Sequence, residues 1–201
     1  MRARLLPGLF FLALSLAPAA DAATPPLAEI SIGAAKAPVT VIEYASIGCP
    51  HCGTWSREVF PAFKKRFIDT GRVRFVVREM LTGDSAVAAA GWLTVRCASP
   101  AKYFQVVEGL FAAQPRMESD GDDLPAILDV AAQVGLSRTQ VSDCLSDHAA
   151  LAALEARADA YVENDKVDST PTFDIAGKRL EGEQSLEALA AAIEAAGHRR
   201  R

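Results

Sequence analysis

The chain has 201 residues, half of them apolar, with a formal net charge of −4 and four cysteines. Mild acidity without a long basic stripe excludes a nucleic-acid-binding role. An apolar content this high builds a core without structural staples.

Arg2 and Arg4 precede an almost wholly apolar run from Leu5 to Ala17, and Ala20-Asp21-Ala22 then offers small residues where a signal peptidase reads. Residues 1–22 are therefore expected to be a cleaved secretory signal. The run is too short to span a bilayer and is interrupted by Pro7 and Gly8, which argues against a retained anchor. No cysteine lies near the cleavage site, so a lipid anchor is not expected. Cleavage would remove two arginines and one aspartate, moving the net charge from −4 to −5 and leaving about 179 residues, one domain or one domain with a large insertion. The compartment so reached tolerates disulfides. After Thr24-Pro25-Pro26 the folded chain is expected to begin near Ala28.

Val39 to Ser46 (VTVIEYAS) reads as a central strand, apolar on both faces apart from Glu43. A helix should start at Cys49-Pro50, because proline suits the first helical position, and continue with Trp55, Val59, Phe60, Phe63 and Phe67 at helical spacing until Gly71. Val73 to Val77 (VRFVV) is a second strand. From about Ser85 to Asn164 alanine and leucine dominate, and Pro100, Pro115 and Pro125 are expected to punctuate several helices. Strand character returns at Pro171 to Ile175, followed by an Ala176-Gly177 turn, Lys178 to Leu180 as the hairpin partner, and a closing helix from Ser185 to Ala196. His198 and the three terminal arginines read as a solvated tail.

The pair Cys49-Pro50-His51-Cys52 sits at a strand-to-helix junction. A helix N-terminus offers unpaired N–H groups and a positive dipole end that stabilise a thiolate at Cys49. A stabilised thiolate is a good leaving group, so a disulfide held there passes readily to a substrate thiol. His51 can add positive charge or a hydrogen bond, and Cys52, one turn further in, is the resolving thiol. Two other readings of these cysteines stand beside this one: a purely structural disulfide, and a zinc site drawing on Cys49, Cys52, Cys97 and Cys144.

Glu43-Tyr44-Ala45-Ser46, the Cys49-Pro50-His51-Cys52 centre, Phe60-Pro61 and Ser169-Thr170-Pro171-Thr172-Phe173 together resemble the DsbA family of disulfide oxidoreductases. The resemblance covers about residues 28 to 197. It implies an α/β, thioredoxin-like fold with an inserted all-helical domain: residues 28–82 and 165–197 forming the thioredoxin-like part and 83–164 the insertion. It implies a periplasmic dithiol oxidase that needs no cofactor or metal. Such an enzyme donates disulfides to unfolded or reduced exported proteins and is reoxidised by a quinone-linked membrane partner of the DsbB type; a monomer is expected.

By the same resemblance Glu43 becomes a buried proton acceptor for Cys52. The residues alone also allow a solvated carboxylate or one paired with Arg78, since an unpaired buried carboxylate is costly. Where some members carry a second acid, four residues past the final cysteine, this chain has Ser56. Pro171 matches the family's cis-proline loop, although sequence alone favours trans, and the backbone of Thr170 would pair with an extended substrate. Threonine before this proline resembles the isomerase branch, which keeps a disulfide reductase or isomerase open as an alternative. A dedicated isomerase would need a separate dimerisation domain ahead of the first strand, where none is expected. A metal-binding module and a non-catalytic thioredoxin-fold module are further alternatives.

With the central pair taken locally, Cys97 and Cys144, 47 positions apart, become partners in one of three possible connectivities, read here as a structural disulfide. Two reduced, buried thiols are the other possibility. Trp55, Trp92, Met80 and Met117 read as core, and His148 as surface. Ser119 to Asp123 reads as a loop and helix cap rather than a Ca²⁺ site, since it lacks the alternating ligand spacing and closing Glu.

Overall fold

The computed structural model describes residues 29–120 and 123–198. The expected signal peptide, part of the Ser119–Asp123 run and the terminal arginines lie outside the described residues.

Strand β2 (Val39–Ala45) is central in the sheet, with a strand on each edge, and its residues are largely buried on both faces. It runs parallel to β3 (Val73–Glu79), with Val39 opposite Val73 and Ala45 opposite Glu79. Its other edge pairs antiparallel with β4 (Thr172–Ile175), placing Glu43 opposite Phe173. The short β1 (Ser31–Ile32) and β5 (Lys178–Glu181) close the edges, so the sheet order is β1-β3-β2-β4-β5.

The crossover from β2 to β3 was expected to be one helix, and it is broken. α1 (Pro50–Glu58) stops at Val59, α2 (Phe60–Phe63) follows, and Lys64–Ile68 form a π-helical turn. Pro61 has no N–H to give the Arg57 carbonyl, which interrupts the ladder at that point. The apolar spacing survives the break: Trp55, Phe60, Phe63 and Phe67 are all buried.

Between β3 and β4 lie α3 (Ser85–Cys97), a 3₁₀ turn at Pro100–Lys102, α4 (Tyr103–Asp120), α5 (Asp123–Gln133), α6 (Arg138–Leu145) and α7 (His148–Asp165). This is the thioredoxin-like fold with a helical insertion. Side chains cap the helix starts: Asp84 for α3, Ser137 in a reciprocal box with Gln140 for α6, and Asp147 for α7. Pro115 lies inside α4 rather than between helices, and Pro125 falls in the first turn of α5. Helix α8 (Leu186–His198) returns to the sheet, and its last turn takes in His198, read from sequence as part of the tail.

The core is continuous across both parts. Trp55 packs on Phe173 at 4.7 Å, Phe60 on Phe75 at 5.2 Å, and Phe104 of α4 reaches Phe75 at 6.2 Å. Trp92 is fully buried and donates through Nε1 to the Met80 carbonyl at 3.0 Å. A polar hub adds a second tie. Glu79, buried at the end of β3, accepts from Arg96 of α3, from the Tyr103 hydroxyl at 3.1 Å and from Arg157 of α7 at 2.9 Å. A disulfide joins Cys97, at the end of α3, to Cys144 in α6.

Glu79→Ala leaves two largely buried guanidinium groups without their carboxylate partner. It is expected to lower the unfolding free energy by roughly 3 kcal/mol or more, read from urea denaturation.

Candidate active site

β2 ends at Ala45, and the chain turns through Ser46, Ile47 and Gly48 before α1 begins. Ser46 organises the turn: its hydroxyl donates to the Thr82 carbonyl at 2.7 Å and accepts from Gly48 N, while its carbonyl accepts from Cys49 N at 3.1 Å. The β3–α3 connection presses on this turn. A Cβ on Gly48 would stand 2.0 Å from the Asp84 carbonyl oxygen, and one on Gly83 would stand 2.1 Å from that of Gly48. Neither position has room for a side chain.

Cys49 is the N-cap of α1 and Pro50 its first residue. Both cysteines are buried, Cys49 with 7% of its surface exposed and Cys52 with none, so Cys49 is the outer of the two. The Cys49 thiol falls from 9.0 to about 5. A hydrogen bond from Cys52 is the main cause, and the Thr170 side chain and the backbone N–H groups of Cys52 and His51 assist against the opposing effect of burial. Burial, the hydrogen bond with Cys49 and the negative charge of Glu43 push Cys52 well above its ordinary value. The two thiols are thus strongly separated in acidity.

The Thr170–Pro171 peptide bond is cis. Its loop faces the pair, with the Thr170 carbonyl 3.3 Å from Cys49 Sγ and the Thr170 hydroxyl 2.5 Å from that of Thr82. Glu43 is 2% exposed, and its Oε1 has no hydrogen-bond partner among the described residues. Arg78, a possible partner from sequence, instead bonds Glu29, Asp165 and the Tyr44 hydroxyl. Burial, and secondarily the Cys49 thiolate, raises Glu43 from 4.5 to about 8. A small cavity beside it is lined by Ser56, in the position of the family's second acid, and by Glu108 of α4, whose carboxyl burial also raises.

Sequence reasoning missed Gln114. From α4 its side-chain amide donates to the carbonyls of Ile47 at 2.7 Å and Cys49 at 3.0 Å, holding both flanks of the turn. Gly53 makes that approach possible, because a Cβ there would lie 1.5 Å from Gln114 Oε1. Arg57 completes the joint, donating to the Phe111 carbonyl at 2.8 Å and to Gln114 Oε1 at 3.4 Å. Phe111 is four residues before Pro115, so its carbonyl has no helical donor and is open to Arg57. Gly53 directly after the second cysteine and Pro115 inside α4 were visible as oddities, but neither points to Gln114 itself.

His51 is exposed, and its Nδ1 lies 2.5 Å from Glu183, a residue with no local sequence signature. The Cys97–Cys144 disulfide takes those sulfurs out of any ligand set with Cys49 and Cys52. No cluster of three or more metal-ligating side chains occurs among the described residues, and none of their helices is long and apolar enough to cross a membrane.

A family model described as Thioredoxin matches residues 27–195. A relative in Rickettsia conorii named as a protein-disulfide oxidoreductase is 27% identical over 169 residues, covering 84% of this chain and 60% of its own length. The chain thus spans less than two thirds of that relative. Among solved structures, α-DsbA1 of Wolbachia pipientis superposes with a TM-score of 0.77 at 22% identity, over 87% of this chain and 94% of that one. BdbD of Bacillus subtilis superposes at 0.75, also with 22% identity, over 85% and 93%.

Two substitutions probe this site. A carboxyl with a pKa of about 8 in the fold and 4.5 outside it holds its proton more tightly when folded, so stability falls as pH rises from about 4.5 through about 8. Glu43→Gln should therefore match the parent near pH 4 and exceed it above pH 8, by about 1.4 kcal/mol for each pH unit that separates the folded and unfolded midpoints, read from urea denaturation. Gly53→Ala should displace Gln114, lower the melting temperature and raise the Cys49 thiolate midpoint, read from absorbance near 240 nm.

Proposed function

Because the chain belongs to the thioredoxin family and folds as the DsbA proteins do, we propose that it is a thiol–disulfide oxidoreductase that donates disulfides through Cys49 and Cys52. One observation carries this reading: Cys49, the outer cysteine of the pair, caps α1 beside the cis-proline loop with its pKa pushed down to about 5. Stabilising the thiolate stabilises the reduced form, so the corresponding disulfide is oxidising.

The exchange begins with the Cys49–Cys52 disulfide. A substrate thiolate attacks Cys49 Sγ, a substrate–Cys49 bond forms, and the electron pair of the broken bond leaves on Cys52. Glu43, protonated at neutral pH, is placed to supply the proton that the buried Cys52 needs. A second substrate thiolate then attacks the substrate sulfur of the mixed disulfide. Cys49 departs as its stabilised thiolate, the substrate is oxidised by two electrons, and the protein is left as the dithiol. During the first step the backbone of Thr170 pairs with extended substrate. The cleft of about 310 Å³ beside Gly48, lined in part by Val87, Gln114 and Met117, gives the substrate chain somewhere to lie.

The same reading makes residues 1–22 a cleaved export signal, the periplasm the place of work and reduced exported proteins the substrates. A quinone-linked membrane oxidase of the DsbB type would return the dithiol to its disulfide, with the protein acting as a monomer. In this proposal the Cys97–Cys144 bond is structural.

Cys52→Ser is expected to accumulate a mixed disulfide through Cys49 when mixed with a reduced, unfolded protein, seen as a mass shift on non-reducing gels. Cys49→Ser should abolish exchange. Equilibration with glutathione decides direction: a pair that stays reduced except under strongly oxidising ratios is a donor. A pair that stays oxidised under reducing ratios makes the protein a reductase and overturns the oxidase reading.

A further inference from the structure

The segment between β5 and α8 is held against the active site at three consecutive residues. Gly182 N donates to the Pro171 carbonyl at 2.8 Å, inside the cis-proline loop. The Trp55 indole of α1 donates to the Gln184 carbonyl at 3.1 Å. Between these anchors the Glu183 carboxylate meets His51 Nδ1 at 2.5 Å. Gly182 turns with φ +79, and the Gln184 side chain closes back on the Glu181 carbonyl at 2.8 Å, stiffening the bracket.

An exposed ion pair is ordinarily weak because ordering two mobile side chains offsets the attraction. Here both backbones are fixed beforehand: His51 stands in the first turn of α1, and Glu183 between two anchored neighbours. The side chains are 73% and 40% exposed, so position rather than burial distinguishes this pair.

We propose that Glu183 is the positioning residue of His51, holding the imidazolium at the mouth of the site so that its charge stays beside the Cys49 sulfur while that sulfur is a thiolate. The inference rests on the exchange chemistry proposed above, in which Cys49 must leave as an anion. The charged groups acting on His51 are Glu183, from the β5–α8 segment, and Cys49, at the cap of its own helix. Both favour the protonated ring, and the Glu183 hydrogen bond contributes most. Without Glu183 the ring gives up its proton at lower pH and the thiolate loses a cationic neighbour there.

The test is an NMR titration of the histidine rings in the reduced protein, run beside a pH series of glutathione equilibria. The chain has three histidines, and His51→Ser identifies the relevant signal. Glu183→Gln is expected to move the His51 midpoint to lower pH and leave His148 and His198 where they are. Between the two His51 midpoints the variant disulfide should be less oxidising by roughly threefold, the scale of a solvent-screened charge, or about 14 mV at 29.6 mV per tenfold for two electrons. In a His51→Ser background the same substitution should leave the equilibrium unchanged. An unmoved His51 midpoint overturns the proposal, and so does an equal effect without His51, which would mean that Glu183 acts on the sulfur directly. If the parent protein does not exchange with glutathione at all, the exchange chemistry fails instead, and the ring titration still reports whether Glu183 holds His51.

Discussion

Everything at this site follows from a sulfur placed where hydrogen-bond donors have no other acceptor. At the start of α1 the N–H groups of His51 and Cys52 lack helical partners, and the Cys52 thiol and Thr170 side chain add to them. An anion there is favoured first by the Cys52 hydrogen bond and then by the Thr170 side chain and the N–H groups at the helix start, so most of the preference belongs to the fold. The counterpart one turn later is a sulfur sealed from solvent, with an acid as neighbour. In the proposed exchange, the large difference between two thiols so close along the chain suits Cys49 to leave as an anion and Cys52 to take up a proton.

Such an arrangement needs the turn before α1 to be rigid, and the rigidity is borrowed. Thr82 and the Gly83-Asp84 backbone brace it from the β3 side, and Gln114 braces it from the helical insertion. The insertion is thus in direct contact with the Cys49 turn, through the carbonyls of Ile47 and Cys49. The joint depends on two residues that would elsewhere weaken a helix: Gly53 clears space for Gln114, and Pro115 frees a carbonyl for Arg57.

The sheet, the dicysteine junction and the existence of a helical insertion were legible because each depends on local pattern. A β-branched run, a proline at a helix start and an alanine-rich stretch carry their meaning within ten or twenty residues. The break at Val59 was in principle legible too, since Pro61 removes a donor whatever the tertiary context, but the helical spacing of the aromatics masked it. Gln114 and Glu183 were not legible. Each acts on a residue more than sixty positions away, and neither type of side chain announces such a role. Glu43 stood between these cases. Its place in an apolar strand marked it as unusual, while only the structure showed that Arg78 is spoken for by Glu29 and Asp165.

The separations along the chain have a consequence for the order of assembly. Cys49 meets Gln114 across 65 positions, Thr170 across 121, and His51 meets Glu183 across 132. Closing loops of that length is entropically late compared with forming α1 itself. A chain emerging from its N-terminus therefore presents α1 and both cysteines well before Gln114, Thr170 and Glu183. Until β4, β5 and the start of α8 have docked, Cys49 has the donors of α1 and Cys52 but not the Thr170 side chain, and His51 lacks Glu183. The full separation of the two thiols is thus completed only by the last part of the chain to be made.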